Sequence, residues 1–280
     1  MIINNMWRNL GWVNMAVKII RLKVIIFMLA SSSAQAQEDA SFLGQENEPQ
    51  YEVSLGMDYT SGTYGADERT EILYMPVSFK AQRGPWTAKA VLPWLNVAGP
   101  AIILDGIDGG SVGIRNTESA AGLGDLSLSM MYSFEQLYNL GLFLDFTARV
   151  KVPTASFGAG LGTGKSDASV QVDIAQAIGQ FIPFATLGYK WTGVPAGFTL
   201  RNTVYGSVGL QSSWSENIAT GLSFDYRQSS LRGSPDLQEG LAYLNVRFTE
   251  EWSLNIYSIV GFSENSPDAG GGITLVYRFP

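Results

Sequence analysis

Residues 122–152 read GLGDLSLSMMYSFEQLYNLGLFLDFTARVKV. In the second half of this stretch Leu140, Leu142, Leu144, Phe146, Ala148, Val150 and Val152 alternate with Gly141, Phe143, Asp145, Thr147, Arg149 and Lys151. A period of two over that length lays an apolar row along one face of a strand and leaves the other face mostly polar. The first half repeats the pattern, with Gly124, Leu126, Leu128, Met130, Tyr132 and Phe134 against Asp125, Ser127, Ser129, Met131 and Ser133. Strands in soluble sheets usually run to about five or six residues, whereas about 9–11 tilted residues cross a bilayer. Two-faced strands of the greater length predict a barrel with one side toward lipid and the other toward a lumen.

Outward from this hairpin the chain divides into about twelve strand-like segments. Three precede it, near 51–60, 69–81 and 86–97, with Pro93 expected to bend or bulge the third because it removes a ladder donor. Seven follow, near 165–178, 181–192, 200–211, 215–227, 238–248 and 252–263, then a last one through Phe279. The longer links fall after the odd-numbered segments and the shorter ones after the even-numbered. Outer-membrane barrels have short periplasmic turns and longer outside loops, with both termini inside when the strand count is even. The expected fold is therefore all-β: a membrane-spanning antiparallel up-and-down barrel of about 12 strands over residues 51–280.

The front end reads differently. Lys18, Arg21 and Lys23 precede the apolar run Val24 to Ala30, and Ala34-Gln35-Ala36 offers a small-x-small cleavage pattern. This layout predicts a cleavable signal peptide at 1–36, export from the cytoplasm, and a flexible periplasmic lead-in at 37–50. An uncleaved amphipathic anchor is the competing reading. Removing 1–36 takes four of the 18 basic residues and none of the 25 acidic ones, so the mature net charge is 14 − 25 = −11. An excess of acid disfavours nucleic acid as a partner. The chain has no cysteine, so no disulfide staples it, and a closed sheet without edges supplies stability in another way.

The absence of histidine as well as cysteine removes the usual nucleophile arrangements and a typical transition-metal site. No cofactor, metal or enzymatic activity is expected. The Gly158–Gly164 link resembles a phosphate cradle, but its spacing fails the P-loop pattern, and it reads as a flexible external loop. Polar-face side chains are instead candidates for lining a pore. They are Lys89, Asp125, Asp145, Arg149, Lys151, Asp173, Lys190, Arg201, Tyr205, Asp225, Arg227, Tyr243, Asn245, Arg247 and Arg278. Their mixed signs point to a constricted, hydrogen-bonded interior in which carboxylates are balanced by Lys and Arg. Aromatic residues gather at segment ends, as interfacial girdles do.

Three short motifs in order, Gly122-Leu123-Gly124-Asp125, Lys151-Val152-Pro153-Thr154-Ala155 and Leu161-Gly162-Thr163-Gly164-Lys165-Ser166-Asp167, resemble the family of outer-membrane transporters named for the MetA pathway of phenol degradation. The resemblance runs from about Tyr51 to the C-terminus. It implies a barrel in a Gram-negative-type outer membrane, in contact with lipid and with the barrel-assembly machinery during biogenesis, and links some members to uptake of aromatic compounds. It assigns no substrate residue. Assembly recognition usually favours a C-terminal aromatic, whereas Phe279 is followed here by Pro280.

The reading that results is a channel for passive passage of small hydrophobic or aromatic solutes, with the 98–121 link as its candidate constriction. A non-conducting structural or surface-binding barrel is the alternative.

Overall fold

The computed structural model describes residues 48–100, 104, 105, 111, 112 and 119–280. The expected signal peptide, most of the lead-in and 14 of the 24 residues of the 98–121 link lie outside these residues.

Twelve long strands follow one another: β1 (Gln50–Gly62), β2 (Thr70–Arg83), β3 (Trp86–Ala98), β4 in two pieces (Ser119–Leu123 and Leu126–Ser133), β5 (Leu142–Val152), β6 (Asp167–Gln176), β7 (Phe181–Trp191), β8 (Thr203–Ser213), β9 (Ile218–Arg227), β10 (Leu237–Arg247), β11 (Trp252–Gly261) and β12 (Ala269–Arg278). Every neighbouring pair is antiparallel, and β12 returns to pair with β1, Val276 opposite Ser54. The sheet is a closed ring. In hydrocarbon each unpaired backbone group costs several kcal/mol, and closure removes the two edges at which such groups would stand. Turns such as Gly84-Pro85 join the strands at the end that carries both termini of the barrel, and the long links sit at the other.

The alternation marks the two faces. Leu55, Val77, Leu187, Val208 and Leu222 point outward and are 51–65 % exposed, forming an apolar belt too continuous for a surface in water. Aromatic rings rim the belt at the short-turn end. Trp86, Tyr132 and Phe134 make successive edge contacts at 4.9 and 5.1 Å, and Trp252, Tyr277 and Phe279 pack at 4.8 and 5.1 Å. Residues of the opposite parity point inward and are buried, among them Ser54, Ser78, Thr147, Gln171 and Asp173.

Pro93 leaves its mark on the partner strand. β3 runs unbroken, but between the Val91–Ser127 and Trp94–Leu123 pairs two β3 residues face three in β4. This bulge separates the two pieces of β4 and turns the Asp125 carboxylate inward. Pro93 has no N–H to give, and Gly124 is served from elsewhere: the Thr154 hydroxyl donates to its carbonyl at 3.0 Å and accepts the Leu126 N–H at 2.9 Å. The Pro-Thr-Ala motif thus repairs the ladder that the proline interrupts. The 310 turn Glu135–Leu140 likewise shortens the following strand, which starts at Leu142 instead of Leu140.

On the inner wall several aromatic rings lie over glycines directly opposite them in the next strand: Tyr205 over Gly188, Phe184 over Gly209, Tyr243 over Gly221 and Tyr257 over Gly272. Two of the tyrosines reach past the glycine to a glutamine one strand further on, Tyr205 to Gln171 at 3.1 Å and Tyr243 to Gln211 at 3.2 Å. A Cβ at Gly221 would coincide with the Tyr243 ring, whereas glycine lets the ring lie flat on the wall. Gly221→Ala is expected to lower barrel stability by about 1–3 kcal/mol. Tyr243→Ala in the same chain should relieve part of that loss, read as the urea midpoint of barrel unfolding in detergent.

Candidate functional site

The candidate site is the inner wall, and strand register decides which charges meet on it. One row across the strands joins Lys80, Lys89, Ser129, Arg149, Ser169 and Lys190. A second joins Ser133, Asp145, Asp173, Thr186, Ser207, Asp225 and Glu239. Over β2 to β7 the first row carries only Lys and Arg as charges, and it continues past Lys80 through Glu52 to Arg278, while the charges of the second row are all acidic. A third row, on the far side of the acidic one, is apolar: Phe143, Ala175, Phe184, Gly209, Ser223, Leu241 and Ile259. Phe143, Phe184, Leu241 and Ile259 of that row form one buried cluster with Tyr243 and Tyr257 from the next.

Within this frame the charges are held. Glu52 receives Lys80 at 2.9 Å and has Arg278 at 3.8 Å. Arg227 bridges Glu239 at 2.7 Å. Asp173 accepts from the Gln171 amide at 2.9 Å and from the Thr186 hydroxyl, and Asp225 accepts from Ser223 at 3.1 Å. Such partners are what a carboxylate needs once it leaves bulk water.

The densest cluster gathers the three motifs noted in the sequence. Lys151 Nζ lies 3.1 Å from Asp125 Oδ2, 3.1 Å from Asp167 Oδ2 and 3.1 Å from Thr163 Oγ1. All three charged side chains are at most 5 % exposed. Ala155 N–H donates to Asp125 and Gly193 N–H to Asp167, which occupies further carboxylate lone pairs. The 153–166 link is thereby tied to the wall, with Leu161 and Thr163 only 2 % exposed. The flexible external loop expected from its glycines is corrected here. Gly162 is required because a side chain there would press on the Asp125 carboxylate and on Ala155.

Other links are joined around the same rim, through Arg69 to Asp268 (2.7 Å), Asn265 to the Pro235 carbonyl (2.7 Å) and Arg201 to Asp236 (3.2 Å). Tyr64, in the first link, adopts a left-handed backbone (φ 50°) and donates to Thr60 at 2.8 Å. Burial pushes its phenol up to about 12, so it stays a donor at neutral pH.

Of the residues singled out from the sequence, Lys89, Asp145, Arg149, Lys151, Asp173, Lys190, Tyr205, Asp225, Arg227, Tyr243, Asn245, Arg247 and Arg278 stand on inward positions of their strands, and Asp125 points in from the bulge. Arg201 does not belong to a strand. β8 begins at Thr203, and Arg201 stays in the preceding link, its guanidinium on Asp236 and on the Ser229 carbonyl at 2.7 Å. Glu52, Asp58, Lys80, Asp167 and Glu239 also face inward and were not among the candidates. Glu52 and Asp58 share the polar parity of β1, and Glu239 that of Tyr243 and Asn245, so parity alone could have found them. Among the described residues no three potential ligands lie close enough to hold a metal ion.

These features define a closed twelve-stranded membrane barrel with a charged inner wall, and known structures share its fold. The COG4313 outer membrane channel from Pseudomonas putida F1 superimposes with a TM-score of 0.64 at 14 % identity, over 84 % of this chain and 98 % of that one. The KdgM porin does so with a TM-score of 0.51 at 6 % identity, over 82 % and 99 %. The chain therefore has the fold of outer-membrane channels. No family model and no curated protein sequence matches it.

Replacing Lys151 by methionine leaves two buried carboxylates sharing no cation, a change expected to cost about 3–5 kcal/mol locally. The link should then leave the wall. A cysteine placed at Leu161, in a chain that otherwise has none, should react faster with a water-soluble maleimide in the K151M background than beside the native lysine.

Proposed function

We propose that the chain is an outer-membrane channel for passive passage of small solutes, exported by its N-terminal signal and inserted with the long links outside. The observation that carries this reading is the inner wall itself: charged and polar side chains circle the barrel while the outer face is apolar throughout its belt. The fold shared with a Pseudomonas putida channel and with the KdgM porin supports it. The inward side chains anticipated from the sequence, Arg201 excepted, are the pore-lining set, with Glu52, Asp58, Lys80, Asp167 and Glu239 added. The 98–121 link is retained as the candidate constriction.

A hydrophobic or aromatic solute is the finer reading. It draws on the resemblance to the phenol-degradation family.

Refolded protein in a planar bilayer tests the channel. Discrete conductance steps are expected. A silent bilayer containing folded barrel, shown by its faster migration on unheated gels, would favour the non-conducting structural reading.

A further inference from the structure

The charges of the inner wall differ in burial as well as in sign. Every inward carboxylate side chain is at most 5 % exposed, and Glu52, Asp125, Asp167 and Glu239 each have a cationic partner at 2.7–3.1 Å. The inward charged side chains that stay half-buried, and so reach the lumen, are all basic: Lys89, Arg149, Arg227, Arg247 and Arg278. A solute inside the barrel therefore touches cations and not carboxylates.

Arg149 is set apart from the other four. Among the described residues it makes no hydrogen bond and no ion pair, although it stands on an inward position of β5. Directly opposite it are Ser129 on β4 and Ser169 on β6. The Ser129 hydroxyl is likewise without a hydrogen bond among the described residues. One strand beyond each serine comes a lysine, Lys89 on one side and Lys190 on the other, each about 10 Å from Arg149 across the sheet. The acids of these strands are engaged or distant. Asp167 is taken by Lys151 and the Gly193 N–H, and Asp173 by Gln171 and Thr186. Asp145 lies four residues from Arg149, about 13 Å along β5.

We infer that Arg149, with Ser129 and Ser169 at its sides and Lys89 and Lys190 beyond them, forms a binding site for the carboxylate of a small organic anion inside the lumen. The inference rests on the channel reading and adds a solute class to it. The planar guanidinium offers paired N–H donors that match the two oxygens of a carboxylate, and the serine hydroxyls supply further donors. The lysines raise the local potential as point charges. Arg149 stands in the half of β5 nearer the long links, so an anion entering from outside reaches it before Phe143 at the opposite end of the same strand.

The chain has no cysteine, so S129C places a single thiol beside Arg149. Two thiosulfonate reagents of similar size and opposite charge, the sulfonatoethyl and trimethylammonioethyl forms, report the local field there. Relative to free cysteine, S129C is expected to favour the anionic reagent by roughly tenfold, the low end of what focusing by fixed charges provides. Millimolar propionate should slow that labelling, and propionamide, its uncharged counterpart, should not. In S129C/R149Q, shown to be folded on unheated gels, both the preference and the propionate effect should be lost. A preference equal to that of free cysteine, one that survives R149Q, or labelling by neither reagent overturns the site. Labelling and protection as expected, in a barrel that stays silent in a planar bilayer, would keep the site and overturn passage through it.

Discussion

The constraint on which this structure depends is that hydrocarbon offers no hydrogen bond to a peptide group. A sheet immersed in it has to satisfy every N–H and C=O from within, and closure into a ring is how strands achieve that. The exceptions show how strictly it is observed. Pro76 and Pro93 face each other across β2 and β3 and neither can donate. Beside Pro93 the neighbouring strand bulges, and a threonine from a distant link supplies both a donor and an acceptor at the gap. The same bulge turns Asp125 toward Lys151, so a backbone repair and a buried ion cluster share one cause.

The second organising element is register. Side-chain parity says only whether a residue faces lipid or lumen, while the pairing between strands says which inward residues become neighbours. Lys80 beside Lys89, and Asp145 beside Asp173, are adjacent although nothing local in the sequence relates them. Like charges directly opposite are unfavourable, and the hydrogen bonds from Gln171 and Thr186 to Asp173, with the bridge from Glu52 to Lys80, are the local compensation.

What could be read beforehand follows from these two elements. The strands and their faces were legible because lipid demands an unbroken apolar row, and Leu187 or Leu222 announces it without reference to any other strand. The inward direction of Asp145, Arg149 or Asp225 followed from the same row. The rows were not legible, since they arise from pairing across residues far apart in the chain. Nor was the anchoring of the 153–166 link: glycines in sequence suggest mobility, and only the fold brings Lys151 between Asp125 and Asp167. Arg201 went astray because its tie to Asp236 holds it in a link, and parity cannot see where a strand begins.

The seam between the first and last strands stands apart from the others. Ser54 finds Val276 across a sequence separation of 276 − 54 = 222 residues, and Tyr51 accepts the N–H of Phe279, the next-to-last residue. Every other strand junction joins neighbours in sequence and closes a short loop, whereas this one has to bring the two ends of the sheet together, so the ordering entropy of the ring is concentrated in it. Without that seam β1 would keep its bonds to β2 but turn a bare row of peptide groups to the membrane interior, so the ring is complete or it is an open edge, with no narrower cylinder in between.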